Sequence, residues 1–273
     1  MRLAFCFISN KKDNLLKLMA HFHYFITKNS CIDSFTTNVL INPPIQKDFP
    51  QQLFLGHDWN FKWKSYHMSP YIDFFWLRQD AISMADNADF IFLGDDDMVF
   101  REGSSEAIDE CCLYMKEHPD CGAIYLSDKF GNEYKTHDDQ IYIINSGHIS
   151  INRGILVRNR EIVMDNRLHA VGACDDWAVG FTAMMQGYYL ARKLYVPIEH
   201  PVVTRIGKMG EKGVNIGSDI DFLKTEGIFS KIDEVIGPIE DPGIWPKNIF
   251  RLYRQSAMLK GFIPKYDVEG AVA

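Results

Sequence analysis

Residues 90–94 read FIFLG, apolar at successive rather than alternate positions, and the next three residues are all aspartate. A strand that faces water on one side alternates apolar with polar residues. A run without alternation is covered on both faces, which calls for a sheet sandwiched between helices. The rest of the chain agrees, because short apolar runs bounded by turns alternate with longer stretches of helical spacing, an α/β arrangement. Its 273 residues suffice for one large α/β domain, or for one domain with an appendage.

Residues 3–8 read as a buried strand, followed by the turn SNKKDN and a helix marked by Leu15, Leu16, Met19, Phe22, Phe25 and Ile26. TTNVLI (36–41) is a second strand, stopped by Pro43 and Pro44. Residues 45–70 read as a long irregular connection rich in aromatics, among them Trp59, Phe61, Trp63 and Tyr66. A helix begins at Pro70 and leads into the FIFLG strand. GSSEAIDECCLYMKEHPD is a further helix, opened by serine caps and closed before Pro119. CGAIYLS is a strand, and residues 128–160 hold short strand-like pieces. CDDWAVGFTAMMQGYY is a helix ending near Gly187, with YLARKLYVPI a strand behind it. Residues 204–219 mix glycines with charges and read as a mobile loop, and 244–263 as a basic amphipathic helix.

The formal charge is −7, so nothing global attracts a polyanion, which disfavours nucleic acid as the main partner. Six cysteines form no C-x-x-C pair and no zinc-like spacing with histidine, and the adjacent Cys111 and Cys112 are poorly placed for a disulfide. All six read as reduced thiols of a cytoplasmic protein. RLAFCFIS is too short for a signal peptide's apolar region, and no stretch reaches the length of a membrane span.

Open α/β sheets bind ligands at the carboxyl ends of their strands, where Asp95, Asp96 and Asp97 stand. Three crowded carboxylates at a covered strand tip need positive charge, and no lysine or arginine follows until Arg101. Mg²⁺ or Mn²⁺ meets that need and keeps coordination positions for phosphate oxygens. Neighbours on a strand point to opposite sides, so Asp95 and Asp97 are expected to share a side and Asp96 to point elsewhere, a D-x-D pattern.

FLGDDDMVF resembles the metal and nucleotide-sugar signature of GT-A-fold glycosyltransferases, an apolar strand ending in D-x-D. A second stretch, ACDDWAVGFTAMMQGYYLARKLYVPIEHP, is similar to the G-E-D-W-D…R…G-Y region of their inverting, family-2-like members. There Asp175 stands where glutamate is usual, and the arginine common later in that helix is absent. The resemblance covers roughly residues 1–203. It implies an α/β domain of GT-A type, Rossmann-like, with a mostly parallel central sheet flanked by helices. Residues 204–273, outside the resemblance, are expected to form a lid loop and a C-terminal helical extension.

The activity so implied is metal-dependent transfer of a sugar from a nucleoside-diphosphate sugar to an acceptor hydroxyl, with UDP-sugar favoured as the family's commonest donor. The resemblance makes Asp97 and Asp95 metal ligands, completed by His200, whose imidazole suits Mn²⁺ better than Mg²⁺. It makes Asp176 the general base of an inverting reaction; were configuration retained, Asp176 would bind a sugar instead. Ser9, Asn10, Arg78, Asp95, Asp96 and Lys208 are expected at the donor, Lys208 together with Arg205 and Lys212 from the lid. For Arg78 the plainer alternative is an exposed helix arginine.

Two rivals stand beside this reading. A nucleotidyltransferase shares the fold but is expected to carry a glycine-rich basic loop after its first strand, and SNKKDN has the lysines without the glycines. A non-catalytic nucleotide- or sugar-binding protein is disfavoured by intact acids at both motifs. The acceptor stays open among a glycan, a lipid-linked sugar, a protein and a modified DNA base. Lys247, Arg251, Arg254 and Lys260 give the C-terminal helix a basic face suited to a membrane surface or a subunit, although such helices more often pack on their own domain.

Overall fold

Every residue of RLAFCFIS after Arg2 is buried, and that strand, β1 (Arg2–Ser9), lies inside a nine-stranded sheet. In this computed structural model the described residues are 1–9, 12–26, 34–41, 59–63, 70–85, 87–127, 132–135, 141–145, 152–158, 162, 175–193, 196–199, 225 and 227–236. After β1 come α1 (Lys12–Ile26), β2 (Ser34–Ile41), β3 (Trp59–Trp63), α2 (Pro70–Ser83), β4 (Phe90–Asp95) and β5 (Val99–Phe100). There follow α3 (Ser104–Glu117), β6 (Cys121–Ser127), β7 (Asn132–Lys135), β8 (Ile141–Asn145) and β9 (Asn152–Arg158). The last elements are α4 (Asp175–Met185), β10 (Tyr189–Lys193), β11 (Ile198–Glu199) and α5 (Ile228–Ile236).

The large sheet has the order β3-β2-β1-β4-β9-β6-β10-β8-β7, and β5 pairs with β11 in a two-stranded sheet of its own. Within the large sheet only β8 and β9 run against the rest, so the expected mostly parallel sheet is observed. Its two faces are covered by different helices. Phe5, Phe7 and Phe92 pack with Leu15 and Leu18 of α1 and with Ile108, Cys112 and Met115 of α3. Cys6 points the other way, as the period of two requires, and its thiol donates to the Ala81 carbonyl of α2 at 3.2 Å. FIFLG is buried throughout, as its lack of alternation implies.

Three sequence readings change. Residues 59–63 are a strand rather than irregular chain, and β3 adds in parallel to β2 with Trp59 opposite Thr37. The signal was present, because Trp59, Phe61 and Trp63 alternate with Asn60 and Lys62. YLARKLYVPI divides into β10 and β11, which belong to different sheets. Helix α3 opens without a serine cap: Gly103, at φ 88°, takes the cap position with no side-chain hydrogen bond. The Ser104 hydroxyl instead donates to the Pro197 carbonyl at 2.6 Å and accepts from the Arg101 amide at 2.9 Å, tying the helix start to the approach to β11. The far end of α3 is held by Arg158, whose guanidinium donates to the carbonyls of Cys121, His118 and Met115. Helix α5, which the sequence reading did not mark, packs on α4. The C-terminal helix expected at 244–263 lies outside the described residues.

Gly154 shows how tightly this sheet is built beneath the strand tips. Its φ is +118°, and a Cβ there would stand 2.3 Å from Cζ and 2.6 Å from Cε2 of the Phe92 ring. Gly154→Ala is therefore expected to combine backbone strain with overpacking and to lower stability by about 3 kcal/mol. Chemical denaturation measures it, and a change below about 1 kcal/mol would mean that the ring moves aside freely.

Cys6, Cys111, Cys112 and Cys121 are buried free thiols. Burial pushes Cys111 and Cys121 up to about 12, so neither is a thiolate nucleophile near neutral pH. No helix among the described residues is long and apolar enough to cross a membrane.

Candidate active site

Strand β1 lies between β2 and β4, parallel to both. The chain proceeds from β1 through β2 to β3 on one side, while β4 lies on the other, so the order reverses at the β1–β4 pair. Open α/β sheets bind ligands in the crevice outside the carboxyl ends of their strands, at the point where the strand order reverses. Ile8 stands opposite Asp95 in the register, so Ser9 and Asp96 leave the sheet side by side at that crevice.

The three aspartates have three different environments. Strand β4 ends at Asp95, and a turn follows in which the Met98 amide donates to the Asp95 carbonyl at 3.4 Å. Asp96 and Asp97 are thus turn residues, and strand alternation is not what separates them. Hydrogen bonding does that for Asp96, which is 9% exposed. It accepts from the Ser9 hydroxyl at 2.5 Å and from the Asn14 amide of α1 at 3.3 Å. Burial raises its pKa above the ordinary carboxylate value against the pull of those two donors, and the neighbouring charges of Asp97 and Asp95 add to the rise. Asp97 is half-exposed, while Met98 and Phe100 beyond it return to the core and pin the turn.

Asp95 meets a cation that local sequence did not suggest. Arg78, 4% exposed on α2, donates from Nη2 to Asp95 Oδ1 at 2.5 Å and from Nη1 to the Gly94 carbonyl at 2.6 Å. The exposed-arginine alternative is therefore set aside. The acidic cluster gains one of its compensating charges from within the protein, seventeen residues upstream.

Of the other expected site residues, Asp176 lies in the first turn of α4, a helix that packs on β6, β8 and β10. Asn10, His200 and Lys208 lie outside the described residues, as do Arg205 and Lys212. Ser9 and Asp96, both expected at the donor, are brought together as a buried hydrogen-bonded pair. Asn14 is the participant that the sequence reading missed. Its position in the first turn after β1 was the available signal, since that turn meets the same crevice.

Asp95 and Asp97, each partly exposed, carry carboxylates, the ligand type that Mg²⁺ and Mn²⁺ take while keeping positions for phosphate. Among the described residues no group of three His, Cys, Asp or Glu side chains is placed to hold a metal by itself. A cation here would thus draw further ligands from substrate, water or residues outside that set.

No model of a known protein family matches the sequence, and no curated protein matches it. Solved structures do. Staphylococcus aureus TarS, residues 1–349, is similar over 94% of this chain and 74% of its own, at 11% identity and a TM-score of 0.50. The mannosyltransferase PcManGT from Pyrobaculum calidifontis, in complex with GDP-Man and Mn²⁺, is similar over 86% of this chain and 72% of its own, at 11% identity and 0.49. A CMP:2-keto-3-deoxy-manno-octonic acid synthetase complexed with CTP is similar over 78% of this chain and 96% of its own, at 8% identity and 0.48. At 11% identity the likeness to TarS, at a TM-score of 0.50, bears on the fold alone, and it agrees with the expected α/β domain of GT-A type with a mostly parallel central sheet.

Proposed function

We propose that the chain is a metal-dependent glycosyltransferase that moves a sugar from a nucleoside-diphosphate sugar, UDP-linked by preference, to an acceptor hydroxyl. One observation carries the reading: the acidic turn stands at the switch point of a GT-A sheet, with Asp95 and Asp96 held by different partners. A merely solvated loop has no use for a buried arginine under its first aspartate or a hydroxyl–amide pair on its second.

In this mechanism Asp97 and Asp95 would hold Mn²⁺ or Mg²⁺, whose charge stabilises the leaving diphosphate. His200 joins them in the proposal. Support comes from β11, whose Glu199 pairs with Val99, two residues beyond Asp97 and one before His200. Asp176 takes the proton of the acceptor hydroxyl as configuration inverts. Lys208 meets the donor phosphates, and Asn10, one residue past Ser9, meets the nucleoside. Ser9 and Asp96 shape the nucleotide's floor through their mutual bond. Residues 204–273 serve as lid and extension.

A screen of UDP-, GDP- and CDP-linked sugars for released nucleotide, with and without Mn²⁺, tests the proposal. Slow, metal-dependent hydrolysis of one donor, accelerated by acceptor, is the expected result. Pyrophosphate release from a nucleoside triphosphate and a sugar phosphate, with every sugar nucleotide untouched, would establish a nucleotidyltransferase instead.

A further inference from the structure

We propose that Arg78 is a positioning residue of the donor site, acting through Asp95 rather than meeting the nucleotide itself; this rests on the function proposed above. Arg78 shares a stripe of α2 and the turn after it with Ala81, Ile82 and Ala85, all buried, at the spacing of a helix face turned into the core. An arginine on such a stripe cannot be solvated by bulk water and must find acceptors inside. Two that it finds are consecutive along the chain: the Gly94 carbonyl at 2.6 Å and the Asp95 carboxylate at 2.5 Å.

One rigid, planar fork thus fixes both the last peptide of the strand and the side chain that follows it. The exposures are asymmetric, 5% for the Arg78 side chain and 35% for that of Asp95. The cation lies sealed beneath while the anion reaches the crevice. A phosphate-binding arginine must present its N–H groups to the crevice, and a covered one aimed at the strand tip does not. Its contribution is therefore orientation: it holds a two-torsion carboxylate in one place before any ligand arrives.

A double-mutant cycle on nucleotide affinity tests this. UDP, GDP and CDP, each with Mn²⁺ and up to millimolar concentration, are titrated calorimetrically into the wild type, Arg78→Met, Asp95→Asn and the double variant. Arg78→Met is expected to weaken binding about tenfold in the wild-type background and less than about twofold once Asp95 is replaced. Arg78→Lys, which keeps a buried charge without the fork, should fall between, and it replaces Met in the cycle if that variant does not fold. Costs that multiply in the double variant would overturn the role and make Arg78 a direct donor contact. Fewer binding sites at unchanged affinity would overturn it as well, leaving Arg78 purely structural. A wild type that binds none of the three nucleotides would instead remove the proposed function, and this role with it.

Discussion

Asp97→Ala is expected to reduce metal-dependent nucleotide release from the sugar donor by roughly a thousandfold, about 4 kcal/mol of transition-state stabilisation. The protein should remain folded, because Asp97 is a half-exposed turn residue flanked by side chains that hold the turn without it: Met98 at 1% and Phe100 at 6% exposure. The loss follows from charge. As the glycosidic bond breaks, negative charge builds on the diphosphate, and a cation held by one ligand fewer stabilises it less. Asp96→Asn is the informative control one residue away. Its oxygens already accept from Ser9 and Asn14, so that change should disturb stability while leaving the Mn²⁺ concentration for half-maximal turnover close to wild type. Turnover titrated with Mn²⁺, alongside denaturation curves, separates the two. An Asp97→Ala protein with the wild type's metal dependence would remove Asp97 from the cation site.

The contrast between those neighbours marks where sequence reading succeeds. Strand β4 was legible because an unbroken apolar run has one physical use, burial on both faces, and FIFLG is buried throughout. The need for a compensating charge at the turn was legible too, because carboxylates crowded at a covered strand tip require one. The form of that compensation was not legible. Arg78 is seventeen residues from Asp95 and reaches it only because α2 packs against β1, a tertiary fact. A hint did exist in the periodicity, since Arg78 falls on the face carrying Ala81, Ile82 and Ala85. Charge on an apolar stripe announces a buried partner. Strand β3 was passed over because five alternating residues inside a long aromatic stretch give a weak signal until β2 supplies their ladder. Ser104 looked like a cap because serine favours that position, yet Gly103 took the cap and freed the hydroxyl to secure Pro197. Local preference yielded to a longer-range contact.

Asp176→Asn should cut sugar transfer by roughly a hundred- to ten-thousandfold while leaving UDP affinity within about twofold of wild type. The substitution is chosen because of where Asp176 sits, in the first turn of α4. An acid there serves one of two purposes. It can complement the positive end of the helix dipole, a structural contribution of about 0.3–1 kcal/mol at most exposed sites. It can also take the proton of an acceptor hydroxyl, which no neutral amide can do. Asparagine keeps the size of aspartate and loses its charge, so the change removes basicity at a helix cost of about 0.3–1 kcal/mol. A large fall in transfer with unchanged nucleotide affinity therefore reports proton transfer, and an unchanged rate reports helix stabilisation alone. The anomeric configuration of the product, read by NMR, adds an independent check. An inverting enzyme needs this base at the acceptor. Retention of configuration would move Asp176 from deprotonating the acceptor to binding a sugar, and the rate loss would then appear with weakened acceptor or donor binding.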